Sequence, residues 1–169
     1  MAPLVEQLTV VIPAFNAEKT VRQSVHSASR SGAGTIIVVD DGSSDDTALV
    51  ARDAGAVVIS RPNGGAAQAR ITGIKACTSE YLMLLDSDDE VLPDSLSRLV
   101  QTLSGNTCAV AAVGGYISRS SARIDVEVRC WPEGVSVSSL LDRAQSPAPP
   151  GSILWRTELL KASLTVSPP

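Results

Sequence analysis

A chain of 169 residues with 44% hydrophobic and 19% charged residues has the size and balance of one globular domain, which excludes a disordered or fibrous polypeptide. At this length folding buries roughly 70% of the surface that the unfolded chain exposes, enough for one core. A formal charge of −4 excludes broad, charge-driven binding of nucleic acid, which needs clustered Lys and Arg, so a polyphosphate ligand would depend on a metal or on local amide dipoles.

Met1 to Leu8 lacks the basic start of a signal peptide, and the longest apolar stretches, such as Cys108 to Val113, are far shorter than the roughly 20 residues of a membrane span. We therefore expect a soluble, cytoplasmic chain with no span of its own, at a membrane's cytoplasmic face only if the parent chain is longer. From Leu8 to Gly115 short apolar runs alternate with helical patterns, the signature of parallel strands joined by helical crossovers, and the class is α/β. Strands are predicted at Thr9 to Ile12, Thr35 to Val39, Ala56 to Ile59, Tyr81 to Leu85 and Cys108 to Val113, where successive apolar residues suit strands covered on both faces. Helices are predicted between them. Asn16 is placed to cap 17–30, Ser43 with Asp46 resembles a capping box for 45–54, Asn63-Gly64-Gly65 opens 65–76, and Pro93 fits the first position of 94–104. Leu96, Leu99, Val100 and Leu103 give that last helix one apolar stripe.

Beyond Gly115, Ile124, Val126, Val128 and Cys130 alternate with Asp125, Glu127 and Arg129 as in a half-exposed antiparallel or edge strand. A short helix is predicted over 136–145. Pro147, Pro149, Pro150 and Gly151 then break regular structure ahead of Ser152 to Trp155 and a helical fragment from Glu158 to Ala162. Cys77, Cys108 and Cys130 have neither CxxC spacing nor a His cluster, so we read them as reduced, inert thiols in a helix end and two strands, with no disulfide and no zinc. His26, in the middle of a predicted helix, is read as a surface residue.

In an open parallel sheet, ligands bind beyond the carboxyl ends of the strands. Here those ends carry Pro13-Ala14-Phe15-Asn16, Asp40-Asp41-Gly42-Ser43, Arg61-Pro62-Asn63-Gly64-Gly65 and Asp86-Ser87-Asp88-Asp89. Two carboxylates two residues apart at a strand end can offer oxygen to one hard cation, Mg2+ or Mn2+, and leave positions for diphosphate and water; the same residues can instead cap the following helix. Asp40 and Asp41 either cap a turn or accept a base N–H or a ribose hydroxyl. Phe15, the chain's single Phe, either stacks on a base or packs in the core. The amides of Asn63-Gly64-Gly65 at a helix start, with Arg70 one turn on, form either a phosphate cradle or a plain glycine turn. The absence of GxGxxG, GxxxxGK[ST] and GxSxG patterns removes the Rossmann cofactor site, the P-loop and the serine-hydrolase elbow.

In order, Thr9-Val-Val-Ile-Pro-Ala-Phe-Asn16, Ile37-Val-Val-Asp-Asp-Gly-Ser-Ser-Asp45, Asn63-Gly-Gly-Ala-Ala-Gln-Ala-Arg70 and Leu84-Leu-Asp-Ser-Asp-Asp89 resemble the successive motifs of family 2 glycosyltransferases. The resemblance covers about residues 8 to 160. It implies a GT-A fold, a mostly parallel open sheet with helices on both faces, in a single domain over 1–169: residues 8–115 as the donor-binding half and 116–169 as a partial acceptor-side half, truncated at the C-terminus. By that resemblance Pro13, Ala14 and Phe15 line a base pocket, Asp41 accepts from the base, and Glu18 and Asp40 help bind the nucleoside. Asp86 contacts ribose, Ser87 and Arg70 belong to the donor site, and Asp88 holds Mn2+ or Mg2+ on the diphosphate. Ile71 stands where the family often has Asn.

The implied reaction is inverting transfer from a nucleotide diphosphosugar, preferably a UDP-sugar, to a saccharide, lipid or small-molecule acceptor, with no nucleic-acid partner. The family's catalytic base is an Asp expected beyond Pro169, so no catalytic residue is assigned in this chain. The alternative is a non-catalytic nucleotide-sugar-binding or regulatory module of the same fold. A nucleotidyltransferase would need a basic, glycine-rich loop after the first strand, where Pro13-Ala14-Phe15-Asn16 stands.

Overall fold

The computed structural model describes residues 7–120, 123–127 and 150–164. A buried strand, β1 (Leu8–Ala14), leads into helix α1 (Val21–Arg30), then β2 (Thr35–Asp40), α2 (Thr47–Asp53), β3 (Val57–Ser60), α3 (Ala66–Ala76), β4 (Tyr81–Leu84) and α4 (Ser95–Ser104). Strand β5 (Ala111–Val113) follows, then a hairpin of β6 (Tyr116–Ser120) and β7 (Arg123–Glu127), and finally β8 (Ile153–Arg156) and helix α5 (Thr157–Ser163). Six strands form one sheet in the order β3-β2-β1-β4-β8-β5, with β6 and β7 paired antiparallel on their own. Pairing from β3 to β4 is parallel, and β8 enters antiparallel to both β4 and β5. This is the mostly parallel open sheet that the alternation implied.

Because side chains alternate across a strand, β1 sends Val10 and Ile12 to one face and Val11 to the other. The first face is covered by α1, α2 and α4, whose Val25, Ala51 and Leu99 share a buried cluster with Val10 and Ile12. The second is covered by α3 and α5, with Ala69, Ile74 and Leu160 over Val11, Val39 and Trp155. The α4 stripe is borne out: Leu96, Leu99, Val100 and Leu103 are all buried, each such side chain contributing roughly 1.5–3 kcal/mol by leaving water. On the second face α3 lies so close to β1 that a methyl on Gly73 would stand 2.2 Å from Val11 Cγ1. That contact fixes the height of α3 over the sheet.

Several boundaries differ from expectation. Asn16 does not cap α1: its backbone turns to a φ of 48°, its side-chain oxygen accepts the Ser44 amide at 2.9 Å, and the helix starts after Thr20. Ser43 and Asp46 form no capping box. The Thr47 amide donates to Asp45 at 3.0 Å, and the Asp46 side chain makes no capping bond. Pro93 precedes the helix, because Asp94 takes a left-handed φ of 61° before α4 begins at Ser95. Cys108 is an exposed thiol in the turn before β5, its amide donating to Asn106 Oδ1 at 3.2 Å, whereas Cys77 is buried. His26 is exposed, as expected. Residues 123–127 of the alternating stretch are the antiparallel strand β7, while Cys130 and the predicted helix over 136–145 lie outside the described residues. No helix of the described residues is long and apolar enough to cross a membrane.

Candidate functional site at the strand ends

The sheet hydrogen bonds continue past the strands: the Asp41 amide donates to Ala14 O at 2.9 Å, Arg61 to Asp40 O at 3.0 Å, and Leu85 to Val11 O at 2.9 Å. The four polar clusters are thereby held side by side along one rim. Pro13 and Ala14 are buried at the end of β1, and the chain then turns out so that Phe15 is 52% exposed. Phe15 is therefore not a core side chain of this structure.

Asp40 is 6% exposed. One of its oxygens accepts the Ser43 amide at 3.1 Å, and no described residue donates to the other. Asp41, 2% exposed, is much more engaged. It forms a short ion pair with Arg61, and its two oxygens accept the amides of Gly64 at 3.1 Å and Gly65 at 2.7 Å. Four acceptor positions on one carboxylate are then nearly filled. The phosphate cradle considered for Asn63-Gly64-Gly65 is therefore not available. Its free amides are spent on Asp41, because a buried carboxylate without donors would be far costlier than an exposed loop without a ligand.

On the other flank Arg70 reaches down from α3 to Asp86, Nη2 to Oδ1 at 2.5 Å, with both side chains mostly buried. Arg70 Nε is buried and has no acceptor among the described residues, a rare condition for a guanidinium N–H. Ser87 is half-buried and its carbonyl accepts Ser24 Oγ at 2.9 Å. Asp88 is exposed, and its carboxylate receives no bond from any described residue. Among the described residues no three His, Cys, Asp or Glu side chains cluster as a metal cage.

The loops after β1 and β2 are sewn together by side chains. Asn16 N donates to Ser43 Oγ at 3.0 Å, Ala17 N to Thr47 Oγ1 at 2.7 Å, and Glu18 N to Asp45 Oδ2 at 3.2 Å. Glu18 in turn accepts the Asp46 amide at 3.3 Å, at the amino end of α2. Donation from Thr47 Oγ1, with further help from backbone amides, lowers the Asp45 pKa against a smaller opposing effect of desolvation. Ser44, Asp45 and Thr47 lie beyond the strand-end cluster that the sequence marks; the density of short oxygen-bearing side chains from Asp40 to Thr47 is the signal that points to them.

The profile of Glycosyl transferase family 2 matches residues 9–151, which takes in all four clusters of the rim. The chain belongs to glycosyl transferase family 2. Among curated relatives of this family 2 chain, the uncharacterized glycosyltransferase EpsJ of Bacillus subtilis (strain 168) is 33% identical over 130 residues, which are 73% of this chain and 37% of that protein. The succinoglycan biosynthesis protein ExoO of Rhizobium meliloti (strain 1021) is 36% identical over 104 residues, 57% of this chain and 30% of that one. The chain thus spans well under two thirds of either relative. Among solved structures, S. aureus TarS 1-349 in complex with UDP-GlcNAc superposes with a TM-score of 0.72 at 21% identity, over 96% of this chain and 48% of that one. Glucosyl-3-phosphoglycerate synthase from Mycobacterium tuberculosis in complex with UDP gives 0.63 at 24% identity, over 91% and 58%. The GT-A fold implied by the four motifs is the fold of the family 2 chain.

Proposed function

We propose that the rim binds a nucleotide diphosphosugar, a UDP-sugar by preference, with Mn2+ or Mg2+, and serves inverting transfer of the sugar to a hydroxyl of a saccharide, lipid or small-molecule acceptor. The observation that carries this reading is the makeup of the rim: Phe15 exposed, one Asp40 oxygen open, Arg70 with a buried unbonded N–H, and Asp88 bare, all beyond the carboxyl ends of adjacent strands. Family membership and the nucleotide complexes of the TarS and glucosyl-3-phosphoglycerate synthase structures support it.

In this reading Pro13 and Ala14 wall the base pocket and Phe15 stacks on the base. The open oxygen of Asp40 accepts the base N–H, and Asp41 acts one step back by holding the 61–65 loop through Arg61 and two amides. Glu18 borders the nucleoside from the loop after β1, where it is held by the Asp46 amide. Asp86, fixed by Arg70, accepts a ribose hydroxyl, and the unbonded Arg70 Nε–H together with Ser87 faces the diphosphate. Asp88 fits a divalent cation by the chemistry of its donor: Mg2+-type ions are held by one or two carboxylates plus substrate phosphates, not by an all-protein cage. Asp88 would hold such a cation where it would supply positive charge to the departing diphosphate. No described carboxylate is assigned as the base, and Glu158 stands on α5 in an exposed ion pair with Lys161.

Calorimetric titration of UDP, dTDP and GDP, with and without Mn2+, tests the site. We expect UDP to bind most tightly, Mn2+ to strengthen it, and Asp88→Ala to abolish that strengthening. Absence of nucleotide binding would overturn the reading. Intact UDP binding with no consumption of UDP-sugar in the presence of any acceptor would assign the chain to the alternative, a nucleotide-sugar-binding module.

A further inference from the structure

We infer that the buried serines of α1 are positioning residues that hold the segment 87–92 so that Asp88 meets a donor-bound cation; the inference rests on the metal role proposed for Asp88. Helix α1 packs on the sheet through Val21, Val25 and Ala28, yet its adjoining face buries the hydroxyls of Ser24 and Ser27, and its C-cap that of Ser31, at 1%, 1% and 4% exposure. Packing alone would favour apolar residues there, since a buried hydroxyl is costly without a partner. Each has one on the segment that follows β4.

Ser24 Oγ donates to Ser87 O at 2.9 Å, Ser31 Oγ donates to Leu92 O at 2.9 Å, and Ser27 Oγ accepts the Val91 amide at 3.0 Å while donating to Ser24 O at 2.8 Å. Gln23 Nε2 adds a bond to Glu90 at 2.6 Å. The tethers fall at 87, 90, 91 and 92, bracketing Asp88 and Asp89, which turn outward. Only Val91 of the segment is buried, and beside it lies an open cleft of about 760 Å³ lined by Ser27, Arg30, Leu92 and Arg98 among others. With so little packing beneath it, and beside the turn bonds from Asp89 N to Asp86 O and from Ser95 to Leu92 O, the segment draws on the α1 bonds for its position.

The test is UDP binding at rising Mn2+ for the wild type, Ser27→Ala, Ser24→Ala, Gln23→Ala and Asp88→Ala, with UDP affinity measured also without metal. Ser27→Ala strands the Val91 amide and lowers the fraction of molecules with the segment in place. The Mn2+ needed for half-maximal binding should rise about five- to tenfold while metal-free affinity holds. Ser27→Thr, which keeps the hydroxyl, should recover most of it. Ser24→Ala and the surface substitution Gln23→Ala should each raise the requirement about two- to threefold, which decides the matter even if Ser27→Ala does not fold. An unchanged Mn2+ requirement in these variants, or equal losses with and without metal, would overturn the inference while a deleterious Asp88→Ala left the metal reading standing. A neutral Asp88→Ala would overturn that reading itself.

Discussion

On the β1–β3 side of the rim, loops hold other loops: the β1 loop is sewn to the β2 loop through Ser43, Ser44, Asp45 and Thr47, and the 61–65 loop is closed onto Asp41. On the β4 side α3 pairs with Asp86 through Arg70 and α1 tethers the segment 87–92, which borders an open cleft. The contrast matters because polar side chains already spent on the protein cannot bind a ligand, but they spare the ligand the cost of ordering the loops. One flank is preformed with few open acceptors, while the other presents an open carboxylate on a lightly tethered support. Nucleoside recognition would then tolerate little movement, and metal affinity would be the property most easily tuned by distant substitutions.

The largest effect should come from the densest node of the preformed flank. Asp41→Ala leaves Arg61 and the Gly64 and Gly65 amides without their acceptor in a site where the carboxylate is 3% exposed. Breaking such a pair costs about 3 kcal/mol, nearer the lower end of the usual range because Arg61 keeps some contact with water. Denaturant unfolding should show this loss, and Asp41→Asn should lose less. A stable Asp41→Ala protein with damaged UDP binding would break the contrast, since Asp41 would then be a ligand residue and not an anchor.

This is also where the sequence was legible and where it was not. The strand ends were readable because apolar runs stop at polar clusters, and α4 because Leu96, Leu99, Val100 and Leu103 repeat at helical spacing. Strand β8 carries no local strand signal. Ile153-Leu154-Trp155 is only three apolar residues, and its place between β4 and β5 is set by partners some forty to seventy positions away. Arg156 reinforces that pairing by donating to the carbonyls of Leu103, Asn106 and Ala109, which no local pattern announces. The competition between Asp41 and a ligand for the Gly64 and Gly65 amides was likewise invisible, because local spacing gives the donors and tertiary structure chooses the acceptor.

A smaller effect is expected on binding alone. Phe15→Ala should weaken UDP about tenfold, in line with the ~1–3 kcal/mol of an aromatic–base stack, and leave thermal stability nearly unchanged because the ring is already half in water. Loss of stability with UDP affinity retained would return Phe15 to a packing role and remove the one aromatic contact proposed for the preformed flank.

The smallest effect concerns the acid limit of the seam between the first two loops. Donation from Thr47 Oγ1 favours ionised Asp45 and holds its pKa below the ordinary carboxylate value. A group depressed in the folded state stabilises the fold above its unfolded pKa, and that contribution fades as pH falls through the folded value. The seam should therefore be intact at neutral pH and weaken only below about pH 4. Because Asp45 is solvent-accessible, the change should be slight and best seen by following its carboxyl carbon by NMR. Asp45→Asn, which keeps an acceptor oxygen but cannot titrate, should make acid unfolding begin less steeply. An Asp45 that titrates at the ordinary value would mean that Thr47 does not hold the carboxylate in solution, and the preformed flank would be looser at its outer edge than at Asp41.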